Sequence, residues 1–124
     1  MSKRRVVITG LGIVSPVGNT VESAWENIIS GKSGITRISR FDASNFASQI
    51  AGEVKDFDIQ AYLSVKEARR MDTFIHFGMA AGIQAIRDAN LEDLTHLDAE
   101  RIGVNIGSGI GGLPMIENTD AVYH

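Results

Sequence analysis

At 124 residues, 44% of them hydrophobic and 22% charged, the chain has the size and composition of an ordinary globular domain, not of a disordered or fibrous protein. A formal charge of -3 leaves no surplus of Lys and Arg for neutralising phosphates, which excludes a general nucleic-acid binder. Cysteine is absent, and with it disulfides, thiolate nucleophiles and most structural zinc sites.

No stretch approaches the unbroken apolar length that spans a bilayer. The N-terminal MSKRR leads into only a short apolar run without a small-residue cleavage site, so no membrane partner and a cytoplasmic location are expected. Arg4 to Thr9, with Val6, Val7 and Ile8 contiguous, predicts a short strand buried on both faces, of the kind found at the centre of α/β sheets. The turn "TGLGIVSPVGN" follows, rich in glycine and holding Pro16.

A helix is predicted next. Asn19 is placed to cap it, with Glu22 returning a bond to the cap's amide. Val21, Ala24, Trp25, Ile28 and Ile29 recur at helical spacing and make one apolar stripe that ends at Gly31. From Gly31 to Phe57 the signals are mixed, with loops and a short strand around Gln49 to Val54.

Ser64 and Glu67 form a capping box for a second helix that runs toward Asn90. Its buried face is expected to carry Met71, Phe74, Ile75, Gly78, Gly82, Ala85, Ile86 and Ala89. Each interior glycine costs roughly 1 kcal/mol relative to alanine, so Gly78 and Gly82 point to close approach of a neighbouring element. After a polar connector, Arg101 to Ile106 predicts a second strand.

Behind that strand stands "IGVNIGSGIGGLPM", residues 102–115. Gly107, Gly109 and Gly112 satisfy GxGxxG, the dinucleotide fingerprint in its shortest form. That fingerprint needs a helix opening at the third glycine and an acidic residue about 20 positions on. Pro114 follows almost at once and the sequence stops at His124, so the context is missing. The N-terminal loop has Ser15 where a third glycine is required, and no GxxxxGK[ST] is present. Backbone packing, or a loop that lines an apolar cavity, accounts for the glycines better than a nucleotide does.

Three separated motifs carry a resemblance: "RRVVITGLGIVSPVGN" at 4–19, "SGKSGI" at 30–35 and "IGSGIGG" at 106–112. In this order they resemble the N-terminal part of the β-ketoacyl-acyl-carrier-protein synthases, closest to type II. The resemblance covers the whole chain. It implies an α/β chain that is an incomplete N-terminal part of a thiolase-like fold, whose full form has two similar βαβαβαββ halves layered α/β/α/β/α. Residues 1–124 would then be the N-terminal portion of the first half, with no complete second domain.

The resemblance also implies decarboxylative Claisen condensation of an acyl group, held on a cysteine, with malonyl-acyl carrier protein, usually by a homodimer. In the family the nucleophilic cysteine and its two histidines lie well beyond the matching stretch. No catalytic residue, cofactor or metal ligand is therefore assigned here, and the chain alone is expected to be inactive. His76, His96 and His124 are not in the family's histidine motifs and are too scattered to form a metal site. His76, between Ile75 and Phe77, reads as a hydrogen-bonded helix residue near the surface.

In such synthases the glycine loop borders the acyl pocket, and by resemblance Ile110 takes the position of a movable apolar gate. Its plain alternative is a core residue. Lys66, Arg69 and Arg70 share one side of the predicted second helix, in its first two turns, where cations oppose the positive end of the helix dipole. A solvated helix face is the ordinary reading of such a cluster. The resemblance implies instead that these three residues bind the acidic acyl carrier protein. The rival from another class is a small noncatalytic α/β module that binds carrier protein or a nucleotide. Only two strands and two helices stand out, so sheet edges and apolar helix faces are expected to lack cover.

Overall fold

The computed structural model describes residues 3–123, which form two compact units: 13–58, and 3–12 together with 59–123. In the first unit the chain enters through a tight turn at Ser15–Gly18, closed by hydrogen bonds in both directions between Ser15 and Gly18 at 2.9 and 3.1 Å. Helix α1, Val21–Ile29, follows. Its cap is Thr20, one residue later than predicted, and the capping box is completed by Ser23 in place of Glu22. Asn19 is used otherwise: its Nδ2 donates to the Lys55 carbonyl at 2.7 Å.

The end of α1 follows the sequence signal. Gly31 adopts φ +67°, and its amide and that of Lys32 donate to the Ile28 and Asn27 carbonyls, which satisfies two orphan acceptors of the last turn. Asn27 Nδ2 fastens the helix to the entry turn through the Val17 carbonyl at 2.6 Å. Strands β1, Ile35–Arg37, and β2, Ile50–Gly52, pair antiparallel with Thr36 opposite Ala51. The predicted strand near Gln49 is thus present but shorter, and its partner β1 was not foreseen.

In the second unit, Ser64 caps as predicted: its hydroxyl accepts from Glu67 N–H while Glu67 Oε2 accepts from the Ser64 amide at 3.1 Å. The helix it starts, α2, is only Val65–Ala68. The chain then turns, Asp72 caps anew, and α3 runs Thr73–Asp88, so the single helix predicted from Ser64 to Asn90 is two. Asn90, at φ 55°, closes α3 with the same pair of end bonds seen at Gly31: its amide to Arg87 O and Leu91 N–H to Ile86 O.

The tight approach expected on this side of α3 occurs not at Gly78 and Gly82 themselves but at the alanines beside and beyond them. Gly10 and Gly12 lie directly on the helix, where a Cβ at Gly10 would stand 2.7 Å from Ala89 N and one at Gly12 2.9 Å from Ala85 N, each also inside hard contact with a helix carbonyl. Small residues on both sides, Ala81, Ala85 and Ala89 facing Gly10 and Gly12, let two backbones meet. Asp88 locks the arrangement by accepting from Leu11 N–H at 2.8 Å. Gly78 and Gly82 instead leave a hollow that receives the Ile106 side chain, 3.7 Å from either ideal Cβ position.

Segments 4–9 and 101–106 pair with no described neighbour, so the central strand predicted at the first and the strand predicted at the second form no ladder. A strand exists only against a partner, and none of the described residues supplies one. Their apolar side chains are accordingly open, Val6 at 91% exposure. The face predicted to be buried on α3 is partly covered: Met71, Ile75, Gly78, Gly82, Ala85 and Ala89 are half-buried, while Phe74 and Ile86 are exposed. Among the described residues the buried hydrophobic positions are Ala24, Ala43, Ala68 and Ala80, every one an alanine. Helix α4, Leu113–Tyr123, closes the unit. No helix among the described residues is long and apolar enough to cross a membrane.

Candidate functional site

The glycine loop decides its own chemistry through what surrounds it. Gly107 and Gly109 have open space around them, and Ile110, at the bend between them and Gly111, is 77% exposed. Gly111, at φ +81°, lies over the Phe74 ring, and a Cβ there would be 3.2 Å from Phe74 Cζ. Gly112 faces Asp72, whose Oδ2 is 2.8 Å from the ideal Cβ position.

Contrary to the reading of Pro114 as an obstacle, a helix opens immediately after Gly112, with Pro114 in its first turn where no amide donor is needed. The opening of α4 nevertheless makes a poor phosphate site. Asp72 Oδ2 already accepts from Met115 N–H at 3.4 Å, and a fixed carboxylate at a helix N-terminus repels the anion that the helix dipole would attract. A nucleotide reading is not supported. Beside the loop, an apolar hollow of about 440 Å³ is lined by Phe74, Ile75, Gly78, Met79, Ile106, Gly107 and Ser108. Ile110 is adjacent in sequence but does not line it.

The break between α2 and α3 redistributes the basic residues. Lys66 lies within α2, Arg69 is its C-cap and Arg70 lies in the turn beyond, all three exposed. They do not occupy the first two turns of one long helix, so the dipole cost inferred from sequence lapses. Arg69 and Arg70 follow the C-terminal end of a short helix, where cations are tolerated or favoured. His76 lies in α3 as a hydrogen-bonded residue near the surface, with Nε2 2.8 Å from the Ala68 carbonyl oxygen. His96 is exposed in the connector before Ala99–Arg101, and His124 lies outside the described residues. Among the described residues no three His, Cys, Asp or Glu side chains cluster as metal ligands.

The perturbed carboxylates serve the backbone. The Ser64 hydroxyl, then its amide, holds Glu67 below the usual carboxylate range, and the Ser39 hydroxyl and amide do the same to Glu53. Asp42 and Asp93 are lowered by the amides of Ser44 and Thr95. All four stabilise turns or caps and none faces the hollow. The residue that sequence reasoning missed is Asp72. An Asp immediately before a helical run is a cap signal, but the apolar period continuing from Ser64 masked it.

Comparison with solved structures defines the class. The chain superposes with TM-score 0.71 on the ishigamide ketosynthase/chain length factor, at 26% identity over 98% of this chain and 31% of that one. It superposes equally, at 28% identity over 94% of this chain and 31% of the other, on a type II polyketide synthase ketosynthase in complex with its acyl-carrier protein. The fold is that of the N-terminal part of a thiolase-like ketosynthase.

The chain belongs to the β-ketoacyl synthase family, whose N-terminal domain matches residues 3–123. It is 61% identical over 117 residues to 3-oxoacyl-[acyl-carrier-protein] synthase 2 of Vibrio harveyi, and 47% identical over 114 residues to the synthase of that name from Staphylococcus aureus strain COL. These alignments take in 94% and 92% of this chain, which spans 28% and 27% of the length of the two relatives.

Proposed function

We propose that the chain is the N-terminal portion of a type 2 3-oxoacyl-acyl-carrier-protein synthase, a cytoplasmic, homodimeric condensing enzyme of fatty-acid chain elongation. In that reaction malonyl-carrier protein loses carbon dioxide, the carbanion left behind attacks an acyl thioester on cysteine, and the cysteine thiolate departs as the carbon–carbon bond forms. The sequence contains no cysteine, so the acyl-bearing thiolate is not among these residues. Their share is shape and docking: a wall of the acyl pocket at the glycine loop, with Ile110 as its gate, and a basic surface at Lys66, Arg69 and Arg70 for the acidic carrier protein.

The observation that carries this reading is the close relationship, over nearly the whole chain, to synthases of this type. The apolar hollow beside the loop supports the pocket wall and the exposure of all three basic residues supports docking, while the gate at Ile110 rests on the family resemblance. A free-standing module is disfavoured by a core made of alanines alone, which leaves most large apolar side chains without cover.

The test is carbon dioxide release from malonyl-carrier protein with an acyl donor. The 124-residue chain alone should match the blank. Grafted in place of the matching segment of the Vibrio harveyi relative, it should restore turnover. A folded but inactive chimera, or turnover by the chain alone, overturns the reading.

A further inference from the structure

Helix α2 is a single turn, too short to hold itself, and the turn that follows carries Arg69 and Arg70 out into solvent. What orients those side chains is the backbone of residues 69–71, and both ends of that span are tied to α3. At the far end Asp72 caps α3 through Thr73 N–H at 2.6 Å. At the near end the Ala68 carbonyl accepts from Met71 N–H at 3.1 Å and meets His76 Nε2 at 2.8 Å, using both of its lone pairs. The imidazole comes from the opening of α3, and it is the side chain that bridges the helix break.

We propose that His76 is a positioning residue for the basic cluster, acting through the Ala68 carbonyl to fix the direction in which Arg69 and Arg70 are presented to an acidic protein partner. The proposal rests on the docking reading of Lys66, Arg69 and Arg70 given above. For a carbonyl acceptor the proton must be on Nε2. Ala68 is buried and His76 half-buried, which shields the bond from competing water.

A positioning role separates from a charge role in its salt dependence. Long-range attraction depends on how many charges the patch carries, whereas close pairing depends on where they point. In the full-length synthase containing this segment, His76→Leu should weaken acyl-carrier-protein binding by about threefold or more, the scale of rim charge pairs losing their geometry, with the slope of affinity against salt unchanged. His76→Gln, whose amide reaches as far as Nε2 and still donates, should restore parental affinity. His76→Asn, polar but one methylene short, should behave as His76→Leu and serves if the leucine variant does not fold. Parental affinity in folded His76→Leu or His76→Asn, beside weakened binding by the triple reversal of Lys66, Arg69 and Arg70 to Glu, overturns the role of His76 and leaves docking intact. If the triple reversal itself binds as the parent does, the docking reading falls and the inference with it.

Discussion

Asp72 and Met115 are joined by a hydrogen bond of 3.4 Å from the Met115 amide to Asp72 Oδ2, across 43 residues of sequence. The other oxygen of the same carboxylate caps α3 at Thr73. One side chain thus ends the basic turn, begins α3 and faces the opening of α4 just after the glycine loop. Asp72→Ala is expected to lower stability by about 1–2 kcal/mol, the worth of a lost cap plus a second unmet helix start. Asp72→Asn keeps an oxygen for one amide only and should fall between. A shift in urea midpoint at constant m-value is the measurement.

Gly12 tests the backbone approach on α3. A Cβ there would stand 2.9 Å from Ala85 N and closer still to the Ala81 carbonyl oxygen, so helix and segment must part. Gly12→Ala is expected to cost about 1–3 kcal/mol, as overpacking against rigid backbone does. Gly103 has nothing within 4 Å of its ideal Cβ, and Gly103→Ala should be neutral or stabilise by up to about 1 kcal/mol. Paired denaturation curves decide it.

The Ser64–Glu67 box makes stability depend on acid. Hydrogen bonds from the Ser64 hydroxyl and amide favour ionised Glu67 and depress its folded-state pKa. Its contribution is present above the unfolded carboxylate's pKa and is lost as pH falls through the lower folded value. The thermal midpoint of the parent should therefore exceed that of Glu67→Gln at about pH 6, and the gap should narrow as pH falls below the usual carboxylate range. Scanning calorimetry across that range measures it, and a gap that widens in acid contradicts it.

Reversal of Lys66, Arg69 and Arg70 to Glu in the full-length enzyme should weaken carrier-protein binding by roughly tenfold or more and flatten its salt dependence. Stability should barely move, because all three side chains are exposed. Acyl transfer from a small thioester mimic should survive. Titration at low and moderate salt, with activity on the mimic alongside, separates docking from a solvated surface.

For Ile110, the gate role predicts opposite effects of two substitutions. Ile110→Gly should extend and Ile110→Phe shorten the acyl chains accepted by the full-length enzyme, since a pocket discriminates by about 1–3 kcal/mol per methylene. Competition between acyl donors of graded length reports it. Equal preference in both variants returns Ile110 to the role of an ordinary apolar residue.

The sequence by itself determined what depends on near neighbours. The Ser64 box and the Gly31 and Asn90 helix ends rest on bonds within a turn or two, and their residue types announce them. The cap at Thr20 slipped by one because adjacent Asn19 and Thr20 are both capping types, and Asn19 is drawn away to the Lys55 carbonyl. The three ordered motifs likewise pointed to the family; the roles of Lys66, Arg69, Arg70 and Ile110 are proposals drawn from that resemblance. Only the tertiary structure decided the rest. The apolar period runs unbroken through Ser64–Asn90 and masks the one local sign, the cap signal at Asp72, of a helix broken at 69–71 and bridged by His76. Asp72 faces Met115 and Gly10 and Gly12 meet α3 across intervals of 43 residues and more, where no periodicity operates. A strand, finally, is a relation and not a property of its own residues: 4–9 and 101–106 carry β-branched runs yet form no ladder among the described residues, because backbone donors and acceptors pair only where another strand lies alongside.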